Sequence, residues 1–551
     1  MNMFFCTNCK ISLEKKDKDF ICIKCGFCLE NIDGVYVDKS VFSEKDKNFY
    51  DEIYNEEKGV EWFQGLNRTN ILKKILEYIS LSYRRERFFK RNIKGKNNLI
   101  LDLACGAGRD YLKNKGQVFG VDLSLKALNL AKDRYDFVIQ SGVTRLPFLD
   151  NTFDYVTSSD FFGHVRVEDK DEIIKEIYRV LKPGGKTLHV IETDSTNIWF
   201  RIAHRDPVLF KKYFIEQIGG HVGLEMPMDC VKRWQKNMFE VKKKEKIWGT
   251  IWPIQYYKEL FGHEYQSDFS KVNRIVIFSK VLSKNKLIRE IINIILNPLN
   301  SLYCFFTNLD KGAGIMIIAK KPKGILDYGC GKGGNFYYLS KLGNYTGIDI
   351  LSENILYAQK RYGEKYFKQV DVKETLLGEK TFDEIHSYDV LEHVEDLEFA
   401  LNDFDRLLRY NGRIVITVPA EVSEKILKSI KANYFQEVGH LRIVDIKQIT
   451  DFFISKGYKI SKKINVRGME AVVLSIMFFI KGKDKSVEYQ TGSPTFHKLI
   501  TAFIWIFDSR LFRTKLKYLF FIYIFTLPIG CLVSIFFPKS IYLVLQKNTV
   551  K

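Results

Sequence analysis

Leu101-Asp102-Leu103-Ala104-Cys105-Gly106-Ala107-Gly108 is repeated 225 residues downstream as Leu326-Asp327-Tyr328-Gly329-Cys330-Gly331-Lys332-Gly333. Each stretch is followed by a hydrophobic run ending in an acid, Gly120-Val121-Asp122 after the first and Gly347-Ile348-Asp349 after the second. Further on, Ser159-Asp160-Phe161-Phe162-Gly163-His164-Val165 answers Tyr388-Asp389-Val390-Leu391-Glu392-His393-Val394, and Leu181-Lys182-Pro183-Gly184-Gly185 answers Leu408-Arg409-Tyr410-Asn411-Gly412. Four landmarks in one order define a duplicated domain.

Within each copy the pattern has a mechanical reading. Leu99 to Leu103 is an apolar run that breaks into a glycine turn and a helix-like stretch through Leu112, which predicts a strand, a cofactor-type turn and a crossover helix. Glycine is needed there because a cofactor must lie against bare backbone. The second acid follows 20 residues after Asp102 and 22 after Asp327. At the tip of a second strand its carboxylate can accept both hydroxyls of a ribose. Gly329-x-Gly331-x-x-Gly334 also satisfies the dinucleotide pattern, but both turns follow an aspartate on strand one, and Ala104-x-Gly106-x-Gly108 lacks the third glycine.

With Leu146-Pro147-Phe148, Phe153-Asp154 and Asp389 to Val394, these residues resemble the class I S-adenosylmethionine-dependent methyltransferases of the ubiquinone and menaquinone biosynthesis type, over roughly 95–195 and 323–420. The resemblance implies an α/β fold with two Rossmann-like domains, each on a seven-stranded, mostly parallel sheet, and S-adenosylmethionine as cofactor. It implies that Asp327, Gly329, Gly331 and Gly333, and in the first copy Asp102, Ala104, Gly106 and Gly108, surround the methionine half. Asp349 with Ile350, and Asp122 with Leu123, would hold the ribose; Asp371 with Val372 would meet the adenine; Asp389 would line the same crevice. The first copy departs from this pattern, with Ala104 for the first glycine and Gly142 where the adenine acid is expected. Loss of one such hydrogen bond costs roughly 1 to 3 kcal/mol. The second copy is therefore the expected catalyst.

Methyl transfer is an in-line displacement, so positioning supplies much of the rate and a base is needed only if the acceptor must lose a proton. His164 and His393 follow strand four and suit deprotonation of a phenol or hydroxyl, or else capping of the loop. Asp389, Glu392 and His393 are similar to the acidic-His segment of quinone O-methyltransferases, which is associated with a divalent cation; oxygen ligands and one imidazole would suit Mg2+ or manganese. Gly163 stands opposite Glu392, so no such site is expected in the first copy.

At the front, Cys6-x-x-Cys9 and Cys22-x-x-Cys25 are separated by twelve residues, and Cys28 is a fifth thiol. Two such knuckles place four thiolates around one structural Zn2+. Metal binding would supply most of the folding free energy of so short a segment. It resembles the zinc ribbons that precede some methyltransferases, including a ribosomal RNA guanine methyltransferase type. The expected organisation is a zinc ribbon over 1–40, a methyltransferase domain over 41–321 and a second over 322–551, with an apolar insertion at about 468–538.

The chain carries a net charge of +20, and residues 461–551 hold 14 Lys or Arg against four acids. Such a surface attracts anionic lipid, nucleic acid or acidic metabolites alike. No signal-peptide pattern opens the sequence, so a cytoplasmic location is expected. Ile288, Ile291, Ile292, Ile295 and Leu299 fall at helical spacing, and Tyr518 to Phe537 runs twenty residues without charge beside Arg510, Arg513, Lys515 and Lys517. Pro528 and Gly530 divide that run, which predicts a hairpin dipping into one leaflet rather than a crossing; a buried lid or dimer interface is the alternative. These features point to a small-molecule, lipid-linked or glycolipid acceptor, with peripheral membrane contact through 287–308 and 500–538 at the inner face of the membrane. RNA methylation is the rival suggested by the ribbon and the charge, but no Asn/Asp-Pro-Pro-aromatic segment follows strand four. A third reading makes the first copy a non-catalytic binding platform for the second.

Overall fold

The computed structural model describes residues 3–38, 79–211, 220–259, 270–370, 377–430, 432–466 and 538–547. Residues 467–537, which contain the second apolar insertion, lie outside the described residues, as do Asp371 and Val372. The chain divides into two compact units, Met1–Pro322 and Lys323–Lys551.

In the first unit a short meander, β1 (Glu14–Lys16), β2 (Asp19–Ile21), β3 (Cys28–Ile32) and β4 (Val35–Asp38), runs into β5 (Asn98–Leu103), β6 (Gly116–Asp122), β7 (Phe137–Gln140), β8 (Phe153–Ser159), β9 (Leu181–Glu192), β10 (Glu240–Ile247) and β11 (Gly314–Lys320). The sheet order is β1-β2-β3-β4-β7-β6-β5-β8-β9-β11-β10. Strands β5 to β9 are parallel, and β11 is antiparallel to both its neighbours. Ile100 to Leu103 and Val118 to Val121 are buried without alternation, the signature of strands covered on both faces. Helix α1 (Arg84–Asn92) precedes β5, and α2 (Lys170–Val180) buries Ile173, Ile174, Ile177 and Val180 at helical spacing before β9.

The second unit repeats this plan. Strands β12 (Lys323–Tyr328), β13 (Gly343–Asp349), β14 (Phe367–Gln369), β15 (Phe382–Tyr388), β16 (Leu408–Pro419), β17 (Tyr458–Val466) and β18 (Ser540–Lys547) take the order β14-β13-β12-β15-β16-β18-β17. This is the β7-β6-β5-β8-β9-β11-β10 order of the first unit. The first sheet has eleven strands, seven of which form the mostly parallel unit that the seven-stranded second sheet repeats, with the cysteine meander adding four at one edge. The order reverses between β5 and β8 and between β12 and β15, and at such a switch point the carboxyl ends of the strands open a crevice.

Two expectations need correction. The crossover after β5 is not a helix: Ala104 to Lys115 is a succession of turns. Twelve residues containing Gly106 and Gly108, both at positive φ, are too few and too bent to hold one. The cysteine segment also does not stand on metal alone. Strand β4 pairs in parallel with β7 through Val35 and Val138, and Phe4, Phe20 and Tyr36 join Phe137 and Phe148 in one aromatic cluster. The segment borrows the core of the domain it adjoins.

The first apolar insertion folds as α3 (Ser270–Lys284) and α4 (Lys286–Phe306), with Pro298 inside the second helix. Among the described residues no helix is long and apolar enough to cross a membrane.

Candidate functional sites

In the second unit β12 delivers Asp327 to the end of the strand, and Gly329, Gly331 and Gly333 turn the chain back at φ of 73°, 51° and 77°. A Cβ at Gly331 would meet nothing within 4 Å, so bare backbone lines open space there. A Cβ at Gly329 would strike Val390, so that glycine serves packing. Asp349, at the tip of β13, accepts from the Gly331 N–H at 2.8 Å, the Leu351 N–H at 2.9 Å and the Asn354 amide at 3.3 Å, which braces the turn. Ile350 follows it and is exposed, and its carbonyl accepts from Gln369 at 3.2 Å.

Asp327 is 1% exposed. Its Oδ2 accepts from the Tyr345 hydroxyl at 2.9 Å, whereas no donor makes a hydrogen bond to its buried Oδ1, although the Asn335 amide lies near. Burial pushes this carboxyl up to about 7. A buried carboxylate oxygen without a donor is costly, and a cationic ligand would repay that cost.

The first unit places Asp102 in the same position and meets it differently. Asp102 accepts from Tyr135 Oη at 2.7 Å, from Thr157 Oγ1 at 2.8 Å and from the Arg109 guanidinium, whose Nη2 also donates to the Ser159 carbonyl at 3.3 Å. Arg109 occupies the position that is Gly334 in the repeat, and its side chain and that of Asp102 are both buried. Asp122 accepts from Gly106 and Ser124 as Asp349 does from Gly331 and Leu351, and the Leu123 carbonyl accepts from Gln140. Ala104 holds φ of 48°, a left-handed conformation that glycine adopts without strain.

After strand four both units keep an aspartate at positive φ, Asp160 at 58° and Asp389 at 54°. Asp389 accepts from Thr417 Oγ1 at 2.9 Å. Asp160 pairs with Arg85 of α1, which stacks over Trp248, and burial there is outweighed by the Arg85 charge, holding Asp160 below its ordinary value. Glu192, at the end of β9, lies against Gly163 and beside Asp160, and burial followed by the Asp160 charge raises its carboxyl well above the usual range. Gly163 thus makes room for a carboxyl brought from another strand. His164 stacks on His221 with ring centroids 4.4 Å apart.

In the second unit Glu392, His393 and His440 converge, with their donor atoms within 4.8 Å of one another. Glu392 is 1% exposed; burial, then the Asp389 charge, pushes it up to about 8, and its Oε2 has no hydrogen-bond partner. His393 Nδ1 bonds the Gly439 carbonyl at 2.8 Å, and His440 Nδ1 bonds Glu424 Oε2 at 2.7 Å. Both contacts are those that orient metal-binding imidazoles through the remaining nitrogen. The donor set differs from the expected one: Asp389 stays with Thr417, and His440 takes its place. Two imidazoles and one carboxylate suit a transition metal better than Mg2+.

The thiols of Cys6, Cys9, Cys22 and Cys25 also converge within 4.8 Å, with Cys6 and Cys25 sulfurs 3.5 Å apart. Zinc–sulfur bonds of about 2.3 Å put thiolates of a tetrahedron about 3.8 Å apart. The two knuckles match bond for bond: the Lys10 and Gly26 amides donate to the Cys6 and Cys22 carbonyls at 2.9 Å. Cys28 sits on β3, outside the group.

This pair of doubly wound sheets, each with a glycine turn and a strand-end acid, defines two class I methyltransferase domains. Residues 101–189 and 326–416 each match the methyltransferase domain family, so the chain carries that domain twice. Among curated proteins it is similar to the demethylmenaquinone methyltransferase of Anoxybacillus flavithermus, 31% identical over 134 residues, covering 22% of this chain and 55% of that protein. The enzyme of the same name from Lactobacillus johnsonii is 36% identical over 123 residues, covering 20% and 49%. The chain spans about half the length of these relatives. Among solved structures it is similar to the Haemonchus contortus phosphoethanolamine N-methyltransferase 2, at 22% identity and a TM-score of 0.31, covering 51% of this chain and 60% of that one.

Proposed function

We propose that the second unit transfers a methyl group from S-adenosylmethionine to a small, lipid-linked or glycolipid acceptor at a membrane surface, and that the first unit does not bind the donor. The observation that carries this reading is the asymmetry of one buried aspartate. Asp327 Oδ1 lacks a donor beside open glycine backbone, whereas Asp102 receives the Arg109 guanidinium. A donor bearing an ammonium and a sulfonium answers the first arrangement and competes with a resident cation in the second.

The donor, when bound, supplies an electrophilic methyl group. Gly331 leaves room for it against the backbone, Asp349 at the tip of β13 would meet a ribose diol, and Asp327 supplies the counter-charge. Where the acceptor is a hydroxyl, His393 donates its Nδ1–H to Gly439 and so presents Nε2 as the basic nitrogen. The Glu424 contact to His440 favours a second role, in which Glu392, His393 and His440 hold a divalent cation. Cys6, Cys9, Cys22 and Cys25 would hold a structural zinc.

Calorimetric titration of the full chain with S-adenosylmethionine tests the reading. One site per chain is expected, weakened at least about tenfold in Asp327→Asn and unchanged in Asp122→Ala. Binding of a nicotinamide dinucleotide instead, or of no donor at all, would overturn it. Salt-dependent retention of RNA with methyl transfer to it would favour the rival acceptor.

A further inference from the structure

Beside its glycine turn the second unit turns a face of tyrosines and cations to solvent. Helix α5 (Ser352–Tyr362) follows the strand-end acid Asp349 and buries Ile355 and Ala358. Its outer side exposes Leu356 (64%), Tyr357 (47%), Lys360 and Arg361. Each aromatic or aliphatic residue stands four positions before a cation, so the four form one outward face. The helical turn Phe336–Leu339, just after the glycine turn, adds Tyr337 at 65% exposed.

Ring contacts join these residues into one surface. Tyr337 meets Tyr362 edge-on with centroids 5.4 Å apart, Phe336 packs on Tyr362 and Tyr366, and Arg361 donates to Tyr357 Oη at 3.1 Å. Lys332 lies over the Tyr357 ring at 5.6 Å, Arg361 over Tyr362 at 5.4 Å and Lys365 over Tyr366 at 4.8 Å. Residues 332–368 hold six Lys or Arg against three acids, Asp349, Glu353 and Glu364. Asp349 is taken up by the turn amides and Asn354, and among the described residues none of the six cations makes an ion pair. The charge of this face is therefore unanswered from within the unit.

The first unit supplies the contrast. Asp122 aligns with Asp349 and Ala131 with Ala358 at one offset, which sets Asn129, Leu130 and Asp133 against Leu356, Tyr357 and Lys360. Arg134, the counterpart of Arg361, is drawn inward onto the Ala107 and Gly108 carbonyls and toward Asp110. The cationic tyrosine face thus belongs to the unit to which the chemistry is assigned.

We infer that this face of the second unit rests on an anionic membrane, with Tyr337, Leu356 and Tyr357 among the lipid head groups and the lysines and Arg361 on lipid phosphates. Tyrosine joins an apolar body to a polar tip and lysine an apolar stem to a charge, the combination that settles at a bilayer interface. Single-stranded nucleic acid would also meet the cations, but its bases would compete for ring faces that Lys332, Arg361 and Lys365 cover and would leave the exposed Leu356 without a role. The inference rests on the membrane-surface reading above and adds which face makes the contact. Because Lys332 lies between Gly331 and Gly333, that contact falls at the glycine turn.

Flotation of the full chain with vesicles tests it. Wild type should bind phosphatidylcholine vesicles containing phosphatidylglycerol and bind pure phosphatidylcholine far less. Each cation near a charged bilayer is worth about fivefold, so Lys360→Gln/Lys365→Gln should lose at least about tenfold toward anionic vesicles. Leu356→Ser/Tyr357→Ser keeps every cation and should weaken binding to both vesicle types. Leu130→Ser, at the first-unit position that answers Tyr357, should bind as wild type does. All five side chains are exposed, and an unchanged melting temperature in each variant separates a lost contact from a lost fold. Wild type that ignores anionic vesicles would overturn this inference and the membrane-surface reading together. Wild type that binds them, with both second-unit variants binding equally well, would overturn this inference alone. Retention of single-stranded RNA that is lost in Lys360→Gln/Lys365→Gln, without vesicle binding, would show a nucleic-acid surface and overturn the lipid assignment. Donor titration is a separate readout, so failure of the methyltransferase reading and failure of this one are distinguishable.

Discussion

The two crevices share a backbone and differ in where their charge is answered. At the end of β5 the first unit meets its acids with its own arginines, Arg109 on Asp102 and Arg85 on Asp160. Buried acid oxygens without a hydrogen-bond partner occur in both units, Asp160 Oδ1 and Glu192 Oε2 in the first and Asp327 Oδ1 and Glu392 Oε2 in the second, so the difference lies at the strand-end aspartate, where Asp102 receives an arginine and Asp327 Oδ1 has no donor. Duplication supplied two copies of one scaffold, and one residue following the glycine turn, Arg109 against Gly334, separates a crevice that brings a cation onto its strand-end aspartate from one in which, among the described residues, no cation reaches that aspartate. An unpaired buried acid is a standing cost that a ligand can relieve, whereas a paired one offers a cationic ligand nothing.

The largest expected effect comes from removing the internal counter-ion. Asp102→Asn should destabilise the first unit by about 3–5 kcal/mol, because it strands a buried guanidinium, and thermal melts would register it. Arg109→Gly, which copies the second unit, should lower stability without ligand, regain it with S-adenosylmethionine and raise the calorimetric stoichiometry from one site to two. A stoichiometry still at one would break the comparison. Next, Asp327→Asn removes a charge-assisted contact worth about 1.5–3 kcal/mol, so donor affinity should fall roughly 10- to 150-fold.

A pH series sharpens the same point. The free Asp327 carboxyl is raised to about 7 by burial, and a bound cation lowers it, so binding below neutrality must release a proton. Donor affinity should therefore rise by up to about tenfold per pH unit toward 7 and level off above it, with proton release in calorimetry repeated in buffers of different ionisation enthalpy. In Asp327→Asn that component should vanish. The smallest effect is at Ala104, whose left-handed backbone costs about 1 kcal/mol; Ala104→Gly should recover part of it with no change in donor stoichiometry.

The duplication, the strand-end acids and the cysteine quartet were legible because each lies in a short contiguous pattern fixed by backbone geometry. What was not legible came from side-chain direction and from distant strands. Arg109 directly follows the glycine turn, yet only its folding back onto Asp102 gives it meaning; its alignment with Gly334 was the available signal. Glu192 reaches Gly163 from the end of β9, and His440 reaches Glu392 from 48 residues away, neither within a motif. The crossover after β5 was misread because Tyr111 and Leu112 continue an apolar pattern through a segment too short for a helix.

The parallel pairing of β4 with β7 has a consequence for how the protein ages. Without the cysteine meander, β7 would border its sheet and offer unpaired amides and carbonyls to any passing chain. With the zinc proposed for them, the four thiols would fasten a cover over an adhesive seam, and a chelator or oxidation of the sulfurs should then announce itself first as aggregation, before the distant crevices lose their shape.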